Sequence, residues 1–318
     1  MLSKIHFFLE QSYNWTGHNC ARLEAEATVR EGRQRRLQGE VTVLAPGALP
    51  FSGRAHAEMH RNTLFLADSE RLLRALQEMG LYAAGYYHGD NAEENLSAAM
   101  YVVEEPQLVD GDSYEKIYER LAGIPWTILK TKRCLVREMT EQDLEVLYTV
   151  YDDPETKRFV EPLASDREEE RSTLRAYIRK MYGFFGYGLW AVVDRENGRL
   201  IGRAGFELCT RPAVGEQNGA ELGYLLAAPY RHRGVAQEVC SALLRYGFET
   251  LEFTNIQALA VRENEASISL LNKLGFHRVN SNIGVGKRVL DTDRSLLFVL
   301  TAQEWRNGRL GAGIAVGV

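Results

Sequence analysis

Apolar positions along this 318-residue chain change period several times, and each change predicts an element. Thr63-Leu64-Phe65-Leu66 is a short continuous apolar run, the mark of a strand buried on both faces. Asp68 or Ser69 stands where a helix cap belongs, and Leu72, Leu73 and Leu76 then share one face until Gly80 ends the pattern. Residues 81–87 and 98–103 read as further strands, and 114–121 as a helix before Gly123-Ile124-Pro125. Strand alternating with helix predicts a small α/β layer with a mostly parallel sheet.

The second half carries a stronger pattern. Leu135-Val136-Arg137 reads as an edge strand, and Thr140-Glu141-Gln142-Asp143 as the capped start of a helix. Residues 187–193 and 198–202 have the apolar character and glycine punctuation of a hairpin, and residues 221–226 that of a strand which Pro229 stops. Val235, Val239, Leu243 and Tyr246 then fall on one helical face. Tyr182 to Gly188 mixes aromatics with backbone freedom, as in a pocket lining or a loop that closes the core.

Residues 1–60 are the least patterned. Residues 24–36 carry helix formers with Arg30, Arg33, Arg35 and Arg36, an arrangement more often a solvated helix face than a contact for an acidic partner. Residues 45–50 are a loop by their Pro and Gly. The run Ile5 to Leu9 is too short for a signal-peptide core and is closed by Glu10, so no secretory leader is expected. No run approaches the roughly 20 apolar residues that span a bilayer, so no membrane partner is expected.

Composition narrows the classes. The length predicts two domains, and 45% hydrophobic with 25% charged residues supplies a core. Lys plus Arg number 38 against 43 Asp plus Glu, a net charge of −5, which argues against a general nucleic-acid binder. Cys20, Cys134, Cys209 and Cys240 lie far apart, so neither a metal site nor a disulfide framework is indicated. Reduced thiols in a cytoplasm are the simpler expectation. No Gly/Ser linker separates Trp126-Thr127-Ile128-Leu129 from Cys134-Leu135-Val136. The reading is therefore an α/β domain over 1–131, a closely apposed second domain over 132–306 and a tail over 307–318.

The candidate chemistry gathers at Tyr230-Arg231-His232-Arg233-Gly234-Val235-Ala236-Gln237. Gly234 stands where a helix begins, so backbone can approach a ligand closely, and bare N–H groups at a helix start attract phosphate. Arg231 and Arg233 add positive charge. With no Gly-Lys-Ser/Thr string and no nearby Asp, a diphosphate fits better than a metal-bound triphosphate. Asp110-Gly111-Asp112-Ser113 is a turn and helix cap, since no phosphatase-type nucleophile loop lies upstream.

Arg231-x-x-Gly234-x-Ala236 resembles the pyrophosphate-binding turn of the GNAT superfamily, the acetyl-CoA-dependent N-acetyltransferases. Tyr187 to Val193 with Gly198 to Gly202 resembles that family's central hairpin. Asn264-Glu265-Ala266-Ser267 with Asn272-Lys273-Leu274-Gly275-Phe276 resembles its last helix, in the version of the ribosomal-protein N-terminal acetyltransferases. The first domain is weakly similar to a truncated haloacid-dehalogenase-like or Rossmann-like domain lacking its catalytic residues, and a structural or substrate-presenting role is expected of it.

The resemblance implies an α+β fold with a mixed central sheet flanked by helices, and acetyl-CoA as co-substrate. Backbone at Leu225, Leu226 and Ala227 would hold the pantetheine arm, and Arg231, His232, Arg233, Gly234, Val235, Ala236 and Gln237 the diphosphate. Asn264 and Ser267 would meet the cofactor, although helix capping explains them equally. Glu221 is the first choice of general base and Glu207 the second; for each the alternative is a solvent-facing strand residue. The tyrosine that many relatives use as general acid falls at Leu271, leaving Ser267, water or direct proton transfer. Between residues 151 and 175 eight acidic residues face five basic ones, an excess suited either to steering a cationic amine or to an exposed helix face.

The implied function is N-acetylation of a primary amine, on a peptide N-terminus or a small molecule. The competing reading is a non-catalytic acetyl-CoA sensor. A homodimer stays open.

Overall fold

A computed structural model of the chain describes residues 2–10, 30–31, 35–44, 62–209, 218–279 and 294–311, divided between two compact units, Met1–Trp126 and Thr127–Val318. The reading above ended the first domain at 131. The strand that opens at Thr127 instead pairs within the second unit's sheet.

In the first unit the strands are β1 (Lys4–Glu10), β2 (Arg30–Glu31), β3 (Arg35–Arg36), β4 (Gln38–Leu44), β5 (Thr63–Ala67), β6 (Ala83–Tyr86) and β7 (Val102–Val103). The helices are α1 (Glu70–Glu78) and α2 (Gly111–Leu121). The main sheet has the order β4-β1-β5-β6-β7, and every neighbouring pair in it is parallel. Ile5, Phe7, Leu9, Leu64 and Leu66 pack with Tyr114 and Tyr118 of α2. Phe8, Phe65 and Ala67 pack with Leu72, Leu73 and Leu76 of α1. Burial on both faces explains why these strands read as continuous apolar runs. Ser69 caps α1 by accepting from the Leu72 N–H, and Asp110 caps α2 by accepting from the Ser113 N–H at 2.7 Å.

The run Ile5 to Leu9, given no element above, lies in β1, an interior strand between β4 and β5. Two expectations change here. Arg30–Glu31 pairs antiparallel with Arg35–Arg36, so that part of 24–36 is a strand pair and not a helix face; residues 24–29, Arg33, Cys20 and the 45–50 loop lie outside the described residues. The strand expected over 98–103 is only Val102–Val103.

The second unit runs β8 (Thr127–Lys130), β9 (Cys134–Arg137), α3 (Leu144–Tyr151), α4 (Pro154–Lys157), α5 (Arg167–Tyr177), β10 (Leu189–Asp194), β11 (Leu200–Leu208) and β12 (Gly219–Leu226). It continues with α6 (Val235–Glu249), β13 (Asn255–Val261), α7 (Glu265–Lys273), β14 (His277–Val279), β15 (Ser295–Thr301) and α8 (Ala302–Gly311). The sheet order is β14-β15-β13-β12-β11-β10-β9-β8. It is mixed: β12 and β13, joined through α6, are parallel, and the other neighbours are antiparallel. Because β8 covers β9, the strand at 135–137 is internal and not an edge. The last helix runs to Gly311, into the segment expected to be a tail.

Trp190, fully buried, meets the rings of Phe206 and Tyr246 edge-on at 6.0 and 5.9 Å. Burying an aromatic side chain of this kind contributes about 2–3 kcal/mol. Val235, Val239 and Leu243 close the same core from α6. A Cβ at Gly247 would stand 2.8 Å from the Phe206 ring, so the helix lies on the sheet at a distance only glycine permits there.

Candidate active site

The parallel pair β12/β13 makes ladder partners at three positions only, Gly219↔Asn255, Ala220↔Ile256 and Glu221↔Gln257. Beyond them β12 stays with β11 as far as Leu226, and β13 stays with β15 as far as Val261. A gap therefore opens in the sheet just past Glu221 and Gln257. In an antiparallel ladder successive N–H groups point alternately to the partner and away from it. The Ala227 N–H donates to the Ile201 carbonyl at 2.8 Å, and in the same register Leu225 also faces β11. The amides turned toward the gap are therefore those of Tyr224 and Leu226. Of the three backbone donors expected from the sequence, only Leu226 is placed to serve.

After β12 the chain turns through His232 at φ 54° and Gly234 at φ 74°, and α6 begins with no side chain capping it. The first N–H groups of an uncapped helix are left without intrahelical partners and carry the positive end of the helix dipole. His232, Arg233 and Gly234 are exposed. A side chain at Gly234 would need a strained left-handed backbone and would sit 3.7 Å from Arg133 Nη2. The bare helix start, the glycine and the gap beside it fit a diphosphate followed by an extended arm, the shape of acetyl-CoA.

Arg231 does not lend its charge to that turn. Its Nε donates to the Leu226 carbonyl at 2.9 Å, Nη1 to Asp153 Oδ2 at 2.7 Å and Glu155 Oε2 at 2.9 Å, and Nη2 to Thr156 Oγ1 at 2.6 Å. The guanidinium beside Asp153 holds that carboxyl below the usual aspartate value. The side chain thus ties the end of β12 to α4. Exposed Arg233 stays in the turn, its Nη1 donating to the Pro229 carbonyl at 3.2 Å, and beside it lies a further cation that the sequence reading passed over, Arg133. Its Nη1 donates to the Arg233 carbonyl at 2.8 Å, and its Nε and backbone N–H hold the Glu238 carboxylate at 2.7 and 2.8 Å.

Glu207 and Glu221 are direct cross-strand partners, so both side chains project on one face of the sheet. Gln257 Nε2 donates to Glu221 Oε2 at 3.2 Å, placing that carboxylate at the mouth of the gap. The opposite face holds a pair that the sequence reading did not assemble: Tyr224 Oη lies 2.7 Å from Ser267 Oγ. Asn264 Oδ1 accepts the Ser267 N–H at 3.0 Å, so capping occupies this asparagine. Leu271 is fully buried in the core and offers no polar group.

Half of the eight acidic residues of 151–175 stand in ion pairs. Asp152 meets Lys157, Asp153 and Glu155 meet Arg231, and Glu168 meets Arg171. An open cavity of ≈ 370 Å³ lies between Thr149, Val150, Asp152 and Asp153 on one side and Ala227, Ala228 and Pro229 on the other. In the aromatic segment, Ile178–Phe185 forms a π-helical turn. Buried Tyr182 donates to the Leu189 carbonyl, while Tyr177 Oη accepts from the Leu189 N–H at 2.6 Å. Those residues close the core; Phe184 stands 81% exposed. Among the described residues no helix is long and apolar enough to cross a membrane.

A family model described as an acetyltransferase (GNAT) domain matches residues 133–277. The uncharacterized protein YkkB of Bacillus subtilis (strain 168) is 30% identical over 152 residues, 48% of this chain and 86% of its own length. The uncharacterized N-acetyltransferase YoaA of the same organism is 29% identical over 151 residues, 48% of this chain and 83% of its own. The ribosomal protein uS5-alanine N-acetyltransferase of Escherichia coli (strain K12) is 27% identical over 201 residues, 59% of this chain and 97% of its own. A solved ribosomal-protein-S5-alanine acetyltransferase from Vibrio fischeri aligns with a TM-score of 0.45 at 16% identity, covering 56% of this chain and 97% of that one.

Proposed function

The chain belongs to the GNAT acetyltransferase family and is an acyltransferase that moves an acetyl group to an amine, and from that premise we propose that the transfer takes place in the gap between β12 and β13. Enzymes of this family use acetyl-CoA as co-substrate. Here the uncapped start of α6 holds the diphosphate, with Gly234 admitting close approach and Arg133 fixing the turn. The Leu226 N–H, turned into the gap, meets the carbonyl oxygen as it gains negative charge, the preorganised donor that acyl transfer calls for. Glu221 takes the proton of the incoming primary amine, directly or through one water, and Glu207 opposite it makes that face acidic and attractive to a cationic acceptor.

One observation carries the reading. The β12/β13 ladder stops at Glu221, which places a carboxylate at the point where strand amides become available to a ligand. The relative from Escherichia coli is named for an alanine of ribosomal protein uS5, so a peptide beginning with alanine belongs beside small amines among the candidate acceptors. A cytoplasm is the compartment proposed, because the four cysteines lie far apart in the sequence with no spacing of a disulfide framework.

The test is release of CoA thiol by the full-length protein, given acetyl-CoA and a panel of alanine-starting peptides, polyamines and amino sugars. Release dependent on at least one primary amine is expected. Tight acetyl-CoA binding with no release for any amine would favour the non-catalytic sensor instead.

A further inference from the structure

We propose that Tyr224 is the proton donor to the departing thiolate, with Ser267 orienting its hydroxyl. The assignment rests on the transfer reading above and adds the acid that the sequence left unfilled. Tyr224 lies three residues past the last β12/β13 ladder pair, on the stretch of β12 that borders the gap. Strand alternation puts its side chain on the face opposite Glu221. Base and acid therefore reach the gap from the two sides of one strand.

The hydroxyl is held in place. Tyr224 Oη stands 2.7 Å from Ser267 Oγ and 3.4 Å from the Ser267 carbonyl oxygen. Ser267 is itself fixed in the first turn of α7, where its N–H is bound by Asn264 Oδ1. When the serine hydroxyl donates to Tyr224 Oη, the phenol O–H keeps the long 3.4 Å bond to the Ser267 carbonyl, a weak partner to exchange for the departing sulfur. Burial raises the phenol above the ordinary tyrosine value, so it remains protonated at neutral pH, as a proton donor must. Leu271, at the position where relatives place their tyrosine, is sealed in the core and supplies no alternative.

The step balances. The amine nitrogen bonds the acetyl carbon as Glu221 accepts the amine proton. Tyr224 gives its proton to the sulfur as the carbon–sulfur bond breaks and its electron pair moves to sulfur. The phenolate regains a proton from solvent, directly or relayed through the Ser267 hydroxyl, which is itself reprotonated by solvent, and Glu221 returns one to solvent, so each turnover yields amide and thiol with no net change in the protein.

Tyr224→Phe keeps the ring and removes the hydroxyl. It is expected to lower kcat by about 10²–10⁴, the usual contribution of a positioned acid, with the KM for acetyl-CoA little changed and an unaltered melting temperature confirming the fold. Ser267→Ala is expected to lose less, because the phenol remains. A second readout needs no turnover. A hydrogen bond donated to a thiolate favours its charged form, so CoA bound to the wild type should ionise at lower pH than CoA bound to Tyr224→Phe, followed by thiolate absorbance in the ultraviolet. A variant with wild-type kcat and an unshifted thiol overturns the proposal. Because the titration uses CoA alone, absence of transfer by the wild type is told apart from a wrong choice of acid.

Discussion

The two units each contain parallel strands, and the parallel ladders end differently. In the first, β1 pairs with β5 at five successive positions, Lys4↔Thr63 to Phe8↔Ala67, and aliphatic and aromatic side chains seal both faces. In the second, β12 and β13 pair at three positions and then part, each keeping its other neighbour. A buried amide without a partner costs about 1–3 kcal/mol, so such a gap is stable only where water or a ligand can take up the exposed amides. The unbroken pairing of β1 with β5 leaves no gap between those two strands for a ligand. The interrupted one converts two strand amides, a carboxylate and a phenol into neighbours of the same opening.

The largest effect that sharpens this contrast is expected at Glu221. Replacing it with Gln keeps size and most hydrogen bonding while removing the base, so turnover should fall by about 10²–10⁴ with acetyl-CoA affinity retained. The loss should shrink at higher pH, where more of the acceptor amine is already neutral. Near wild-type turnover in Glu221→Gln, with a collapse in Glu207→Gln, would move the base one strand over.

A smaller effect belongs to Arg133, which tethers the Arg233 carbonyl and Glu238 at the start of α6. Arg133→Ala removes bonds that are half exposed, each contributing about 1 kcal/mol or less. The KM for acetyl-CoA should rise about threefold to tenfold with kcat unchanged. A fall in kcat at constant KM would show that the turn does not depend on this tether.

The smallest is a pH effect at Asp153. Its carboxyl is held below the ordinary value of 3.8 by the Arg231 guanidinium. With the folded value depressed, the ion pair's contribution is complete above the ordinary value and disappears as pH falls through the folded one. Acetyl-CoA affinity should therefore differ by a few-fold between wild type and Asp153→Asn at neutral pH, and the two should converge only as pH falls through the folded value, which lies below the ordinary 3.8. A difference that persists in acid would separate Arg231 from the site.

What was legible in the sequence follows from the range over which each feature is encoded. The start of α6 is local: Gly234, Pro229 and the apolar spacing from Val235 lie within a few residues of one another and predict a bare helix end. The role of Arg231 depends on Asp153, 78 residues away, and a basic residue in a phosphate-binding turn looks the same in sequence whether it faces the ligand or a neighbouring helix. Tyr224 reads as one more apolar strand position until Ser267, 43 residues on, is brought beside it. The run Ile5 to Leu9 is too short to announce itself, because its meaning comes from strands at Gln38–Leu44 and Thr63–Ala67. Edge or interior status, misjudged for 135–137, depends on the neighbour β8, whose apolar signal Thr127-Ile128-Leu129-Lys130 is only two residues long.

Amide hydrogen exchange tests most directly whether the parted strands are the transfer site. In the ligand-free protein the amides of Tyr224 and Leu226 should exchange faster than those of the sealed strands, such as Phe7 and Phe65, because no ladder protects them. Saturating acetyl-CoA should slow Tyr224, Leu226 and the first turn of α6 from Val235 to Gln237, and leave Phe7 and Phe65 at their original rates. If acetyl-CoA binds and slows exchange elsewhere while Leu226 and Val235 to Gln237 stay unchanged, the site has been put in the wrong place.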